Sequence, residues 1–165
     1  MPVLAAGARA PGFTLTATDG RLWSLADALK RGPVVLFFFQ IECPICQYTV
    51  PFLDRLEQGY RGQPVAIVGV SQHASRDTEE FIKECGLGLP ILLDDPANYL
   101  VSNAYGLTHV PAVFLIAANG TIEVSSVGWS RREIDAINEK IAECLHTQPT
   151  AVFRAGEDVA DFRPG

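Results

Sequence analysis

A chain of 165 residues has room for one hydrophobic core, and its net charge of −6 argues against sequence-independent nucleic-acid binding. Hydrophobic residues at 48% and charged residues at 19% describe a folded chain rather than a disordered one. No apolar run approaches the roughly 20 residues that span a bilayer. Residues 1–9 lack a charged start followed by an apolar stretch. Those two readings set the expectation of a cytoplasmic protein with no membrane partner.

In chain order, Phe13 to Ala17 alternates and Thr18-Asp19-Gly20 turns into Arg21-Leu22-Trp23, which predicts an N-terminal β-hairpin. Ser24 is placed to cap a short helix ending near Lys30, and Gly32-Pro33 stops it. Val34 to Phe39 is apolar without alternation, as a strand covered on both faces requires. Ile45, Tyr48, Phe52, Leu53, Leu56 and Tyr60 recur at helical spacing and predict a helix from Cys43 to Tyr60, with Pro51 inside it and Gly59 or Gly62 ending it. Val65 to Val70 is a second buried strand, and the β-α-β order makes it parallel to the first.

Asp77 with Glu80 resembles a capping box for a helix carrying Phe81, Ile82 and Cys85 on one face. Ile91 to Leu93 and a helix from Ala97 to Tyr105 follow, so this stretch is an inserted helix-strand-helix. Ala112 to Ala117 is a third buried run, and Asn119-Gly120 turns it into a strand from Thr121 to Val127. Ser130 and Glu133 form a capping box for a last helix with Ile134, Ile137, Ile141 and Leu145 along its stripe. From Thr147 the periodicity ends. The expected organisation is one α/β domain over residues 1–146, with a mixed central sheet flanked by helices, and a C-terminal tail over 147–165.

Chemistry concentrates at Cys43-Pro44-Ile45-Cys46, where a buried strand gives way to a helix. The Cys43 sulfur would face unpaired backbone N–H groups and the positive end of the helix dipole, both of which favour the nucleophilic thiolate. Cys46, three residues on, lies on the same helix face within bridging reach. This spacing allows Cys43 to attack a disulfide and Cys46 to resolve the mixed disulfide. Pro44 removes one backbone donor and stiffens the turn. The other readings are an inert buried pair, or half of a zinc site. Cys85 and Cys144 read as small buried hydrophobes, with Cys85 alternatively a distant resolving cysteine. Asp94-Asp95 before Pro96 reads as a turn.

The segment Glu42 to Cys46 with Pro51, the Val110-Pro111 pair opening a buried strand, and Gly128 beyond the last strand together resemble the thioredoxin superfamily. The extension from Gly7 to Leu25 is similar to its redoxin branch, which includes the AhpC/TSA peroxiredoxins and the TlpA-like oxidoreductases. The resemblance implies a thioredoxin-like fold and a disulfide-forming redox-active centre at Cys43 and Cys46. It further implies a cis-proline at Pro111 against that centre, and backbone hydrogen bonds from Val110-Pro111 to a partner chain. Glu42 is then the candidate carboxylate for proton transfer, and Pro44, Val110 and His109 are auxiliary candidates. The peroxiredoxin pattern Pro-x-x-x-Thr/Ser-x-x-Cys is met in neither register: Leu36 and Gln40 precede Cys43, while Phe39 and Cys43 precede Cys46.

The expected function is thiol–disulfide exchange with protein or low-molecular-weight disulfides and thiols, without an organic cofactor or a bound metal. The alternatives are an antioxidant AhpC/TSA-type thiol peroxidase with Cys43 peroxidatic, and a copper carrier using Cys43, Cys46 and His109.

Overall fold

A computed structural model describes residues 2–165. The order of elements is β1 (Thr14–Ala17), β2 (Leu22–Ser24), α1 (Leu25–Leu29), β3 (Val34–Phe39), α2 (Pro44–Tyr60), β4 (Ala66–Ser71), α3 (Ser75–Cys85) and β5 (Ile91–Leu93). Then come α4 (Leu100–Ala104), β6 (Ala112–Ile116), β7 (Ile122–Val127), β8 (Trp129–Ser130), α5 (Arg131–Leu145) and β9 (Phe162–Arg163). Seven strands form one mixed sheet in the order β2-β1-β5-β4-β3-β6-β7, and β8 pairs with β9 separately. β3, β4 and β5 run parallel, while β6 joins β3 antiparallel and the β1–β2 hairpin extends the sheet through β5.

The all-apolar β3 has a simple cause. Val35, Phe37 and Phe39 enter one core with α2, α5 and Phe81 of α3, while Val34, Leu36 and Phe38 enter a second with Leu25 and Tyr105. Alternation along a strand sends successive side chains to opposite faces, so a central strand covered on both sides can be apolar throughout. In the first core Trp129 is fully buried, with its ring centroid 4.7 Å from that of Phe52 and 5.4 Å from that of Tyr48.

Several local expectations are corrected. α3 starts at Ser75, with no side-chain hydrogen bond at its cap, so Asp77 is a first-turn residue. Thr78 pins that turn instead, its hydroxyl 2.8 Å from Ser71 Oγ and donating to the Ala74 carbonyl. α4 is shorter than the span 97–105, because Asp95 first folds a local turn by accepting the Ala97 N–H. The neighbouring Asp94 is no turn residue. Only 1% exposed, its carboxylate takes the Val101 and Ser102 N–H groups at the start of α4.

Gly59 lies inside α2 rather than ending it, and a side chain there would collide with Thr150. Cys85 and Cys144 are exposed, not buried. Cys85 is the last residue of α3, just before Gly86 turns the chain in the left-handed region. Cys144 sits at the rim of α5, because Asn138 and Ala142 share burial with the isoleucines and swing the packed stripe away from it.

Residues 147–165 fold back over α2 and α5. Val152 and Val159 are buried, Arg55 forms a two-pronged ion pair with Glu157 at 2.8 and 2.9 Å, and Asn138 Nδ2 donates to the Thr150 carbonyl at 2.7 Å. Tyr48 Oη accepts the Ala160 N–H at 2.9 Å, and Trp129 Nε1 donates to the Ala160 carbonyl at 2.7 Å.

Candidate active site

The site forms where β3 ends and α2 begins, at the carboxyl ends of the parallel strands. Cys43 is the N-cap of α2, and its sulfur accepts the Cys46 backbone N–H at 3.1 Å. This supplies one of the helix's unpaired donors with an acceptor and places positive dipole against the sulfur. Pro44 takes the first helical position, where a missing N–H costs the helix nothing.

Cys43 is half-buried and reaches a cavity, whereas Cys46 is fully buried behind it. Burial pushes the Cys46 thiol strongly up, and its hydrogen bond with Cys43 adds to that; the Gln40 backbone opposes both. The geometry thus gives two unequal thiols in one pair, the outer accessible and the inner held protonated.

Val110 and Pro111 come from the other side of the sheet's end. Their peptide is cis, the Cys43 thiol donates to the Val110 carbonyl at 3.7 Å, and the Pro111 carbonyl accepts the Gly128 N–H at 2.8 Å. His109 lines the same cavity but is exposed, and its Nδ1 lies 3.0 Å from Thr108 Oγ1. Among the described residues no three His, Cys, Asp or Glu side chains gather to hold a metal ion. Cys43, Cys46 and His109 therefore do not form the ligand set expected of a copper carrier. Glu42 is exposed, Phe37 is fully buried in β3, and the Thr49 hydroxyl of α2 is taken by the Ile45 carbonyl at 2.7 Å.

The wall of the cavity carries a polar chain that motif reading missed. Gln40 Nε2 donates to Gln72 Oε1 at 2.9 Å, Gln72 Nε2 to Ser102 Oγ at 2.9 Å, and Ser102 Oγ to Asp94 Oδ2 at 2.7 Å. The signal was present in the β-α-β unit. Gln40 and Gln72 each follow the corresponding buried strand, and the pairing of Phe39 with Ser71 brings them side by side. The cavity itself, about 480 Å³, lies between this wall, Cys43 and the Val110 edge.

The AhpC/TSA family model matches residues 6–125. Thiol-disulfide oxidoreductase ResA of Geobacillus thermodenitrificans is 33% identical over 131 residues, 79% of this chain and 74% of that protein. ResA of Halalkalibacterium halodurans is 30% identical over 138 residues, 82% of this chain and 77% of that protein. The thioredoxin domain of a thiol-disulfide oxidoreductase from Bacteroides vulgatus superposes with a TM-score of 0.72 at 22% identity, covering 86% of this chain and 99% of that one. The fold is thioredoxin-like, a mixed central sheet flanked by helices as in that structure. The family model over residues 6–125, together with relatives 33% and 30% identical across most of their length, places the chain in the AhpC/TSA family as a thiol–disulfide oxidoreductase of the thioredoxin type.

Proposed function

We propose that Cys43 is the attacking thiol and Cys46 the resolving one. The observation that carries this assignment is the pairing of an accessible helix-capping sulfur, bonded to the Cys46 N–H at 3.1 Å, with a buried thiol behind it. Cys43 as thiolate attacks one sulfur of a substrate disulfide and expels the other as thiolate, giving a mixed disulfide. Cys46 then loses its proton and attacks the Cys43 sulfur. The second substrate thiolate leaves, and a Cys43–Cys46 disulfide remains. Two electrons and two protons pass to the substrate, and the reverse sequence oxidises a dithiol. Gln40 and Gln72, locked by Ser102 and Asp94, offer fixed amide groups to whatever occupies the cavity.

The test is trapping. Cys46→Ser mixed with a disulfide substrate accumulates a mixed disulfide on Cys43, whereas Cys43→Ser accumulates none; a stable adduct on Cys46 in the second variant would reverse the assignment. Hydrogen peroxide supplied in place of the disulfide separates this reading from the peroxidase one, since rapid loss of two thiols would mark a sulfenic acid closed by a second cysteine. The cytoplasm is the compartment we propose, where the pair rests reduced. Alkylation in intact cells that finds the pair mostly as a disulfide would move it elsewhere.

A further inference from the structure

We infer that residues 162–165 are a displaceable strap over the Val110 edge of the site, one that admits small disulfides and slows protein disulfides. The inference rests on the thiol–disulfide reading of Cys43.

The chain is held firmly as far as Asp161. Val159 is buried, both backbone groups of Ala160 are bonded by side chains, and the Asp161 carbonyl accepts the Arg131 N–H at 2.9 Å. Beyond that point every residue is exposed, with Phe162 at 60%. The remaining ties are the two-residue pairing of Phe162–Arg163 with Trp129–Ser130 and the Arg163 guanidinium 4.4 Å over the Tyr48 ring. A two-residue ladder and one exposed cation–π contact form a weak clasp.

Gly165 nonetheless lies against the reactive centre. A methyl group on Gly165 would stand 2.6 Å from the Val110 carbonyl oxygen, the same oxygen that receives the Cys43 thiol. One on Gly128, whose N–H binds the Pro111 carbonyl, would stand 2.6 Å from the Arg163 carbonyl oxygen. Backbone lies directly on backbone at both places, and glycine alone leaves that space. Gly165 also forms part of the rim of the cavity that Cys43 faces.

This arrangement leaves Cys43 open on one side and covered on the other. A small disulfide can reach the sulfur through the cavity of about 480 Å³, which falls within the range of small-molecule sites. A cystine within a protein brings chain on both sides of its sulfur and needs the Val110 edge as well. The strap must lift for it. The weak clasp makes lifting feasible, and the firm hold at Ala160 and Asp161 keeps the strap local.

The experiment compares the full chain with a variant lacking residues 162–165 in single-turnover oxidation of the reduced pair, using insulin as the protein disulfide and 5,5′-dithiobis(2-nitrobenzoate) as the small one. A strap seated about nine-tenths of the time lowers apparent affinity about tenfold, so the truncation should speed insulin about tenfold and the small disulfide less than about twofold. Gly165→Val keeps the strap's length but forces it off the Val110 carbonyl, and should shift the two substrates in the same selective way. Equal changes for both substrates, no gain with insulin, or a loss with insulin would overturn the strap. Failure of the full chain to exchange with the small disulfide would instead sink the thiol–disulfide reading itself.

Discussion

Cys43 and Cys46 sit at the beginning of a helix, while Cys85 and Cys144 sit in the last turns of two others. The second pair is the more exposed, so accessibility alone would choose it as the reactive one. Electrostatics chooses otherwise. At a helix start the backbone N–H groups point at the sulfur, and at a helix end the carbonyls do. Cys43 accepts such an N–H, whereas partial burial and the neighbouring Glu84 hold the Cys85 thiol above its ordinary range. On the proposed assignment, the end of the helix on which a thiol lies outweighs how much of it solvent can touch.

Substitution gives the largest effect. Cys43→Ser is expected to lower disulfide exchange on the order of 10³-fold or more, while Cys85→Ser and Cys144→Ser each change it less than about twofold. Single-turnover rates with a small disulfide check both halves of the statement, and a large loss at Cys85 would break the comparison. A smaller effect separates the two members of the reactive pair. Because burial raises the Cys46 thiol, its thiolate fraction at neutral pH is small and should grow about tenfold per pH unit from pH 6 to 9. Resolution of a preformed mixed disulfide on Cys43 should follow that slope; a rate flat across this range would place Cys46 outside the resolving role.

The smallest effect concerns the segment after α5. Arg55 holds the Glu157 carboxyl down to about 2. An unfolded-chain glutamate titrates near ~4.3, so the pair contributes stability above that pH and loses it as pH falls toward the folded value. Glu157→Gln should therefore lower the melting temperature at pH 7 slightly and flatten the acid limb below pH ~4.5, as thermal melts across pH would show.

Much of the fold was legible because its cause is local. The apolar runs at Val34–Phe39 and Ala112–Ile116 can only be strands covered on both faces, and Cys-x-x-Cys after such a strand falls at a helix N-terminus whatever lies elsewhere. The cavity wall was legible only in part: the parallel β-α-β unit sets Gln40 beside Gln72, but Ser102 and Asp94 join them only through the placement of α4. Asp94 in particular has the sequence surroundings of a turn and the structural role of a buried anchor. The strap escaped for a similar reason. Residues 147–165 lack periodicity because they are held by scattered contacts from α2, α5 and β8, and no pattern within the segment encodes partners so distant.

The most direct test of the central claim mixes fully reduced protein with half an equivalent of 5,5′-dithiobis(2-nitrobenzoate), quenches with acid and maps every cysteine by mass spectrometry. The account predicts two aryl thiols released per disulfide consumed and a Cys43–Cys46 disulfide, with Cys85 and Cys144 still free. Adducts accumulating on Cys85 or Cys144 while Cys43 and Cys46 stay reduced would contradict it.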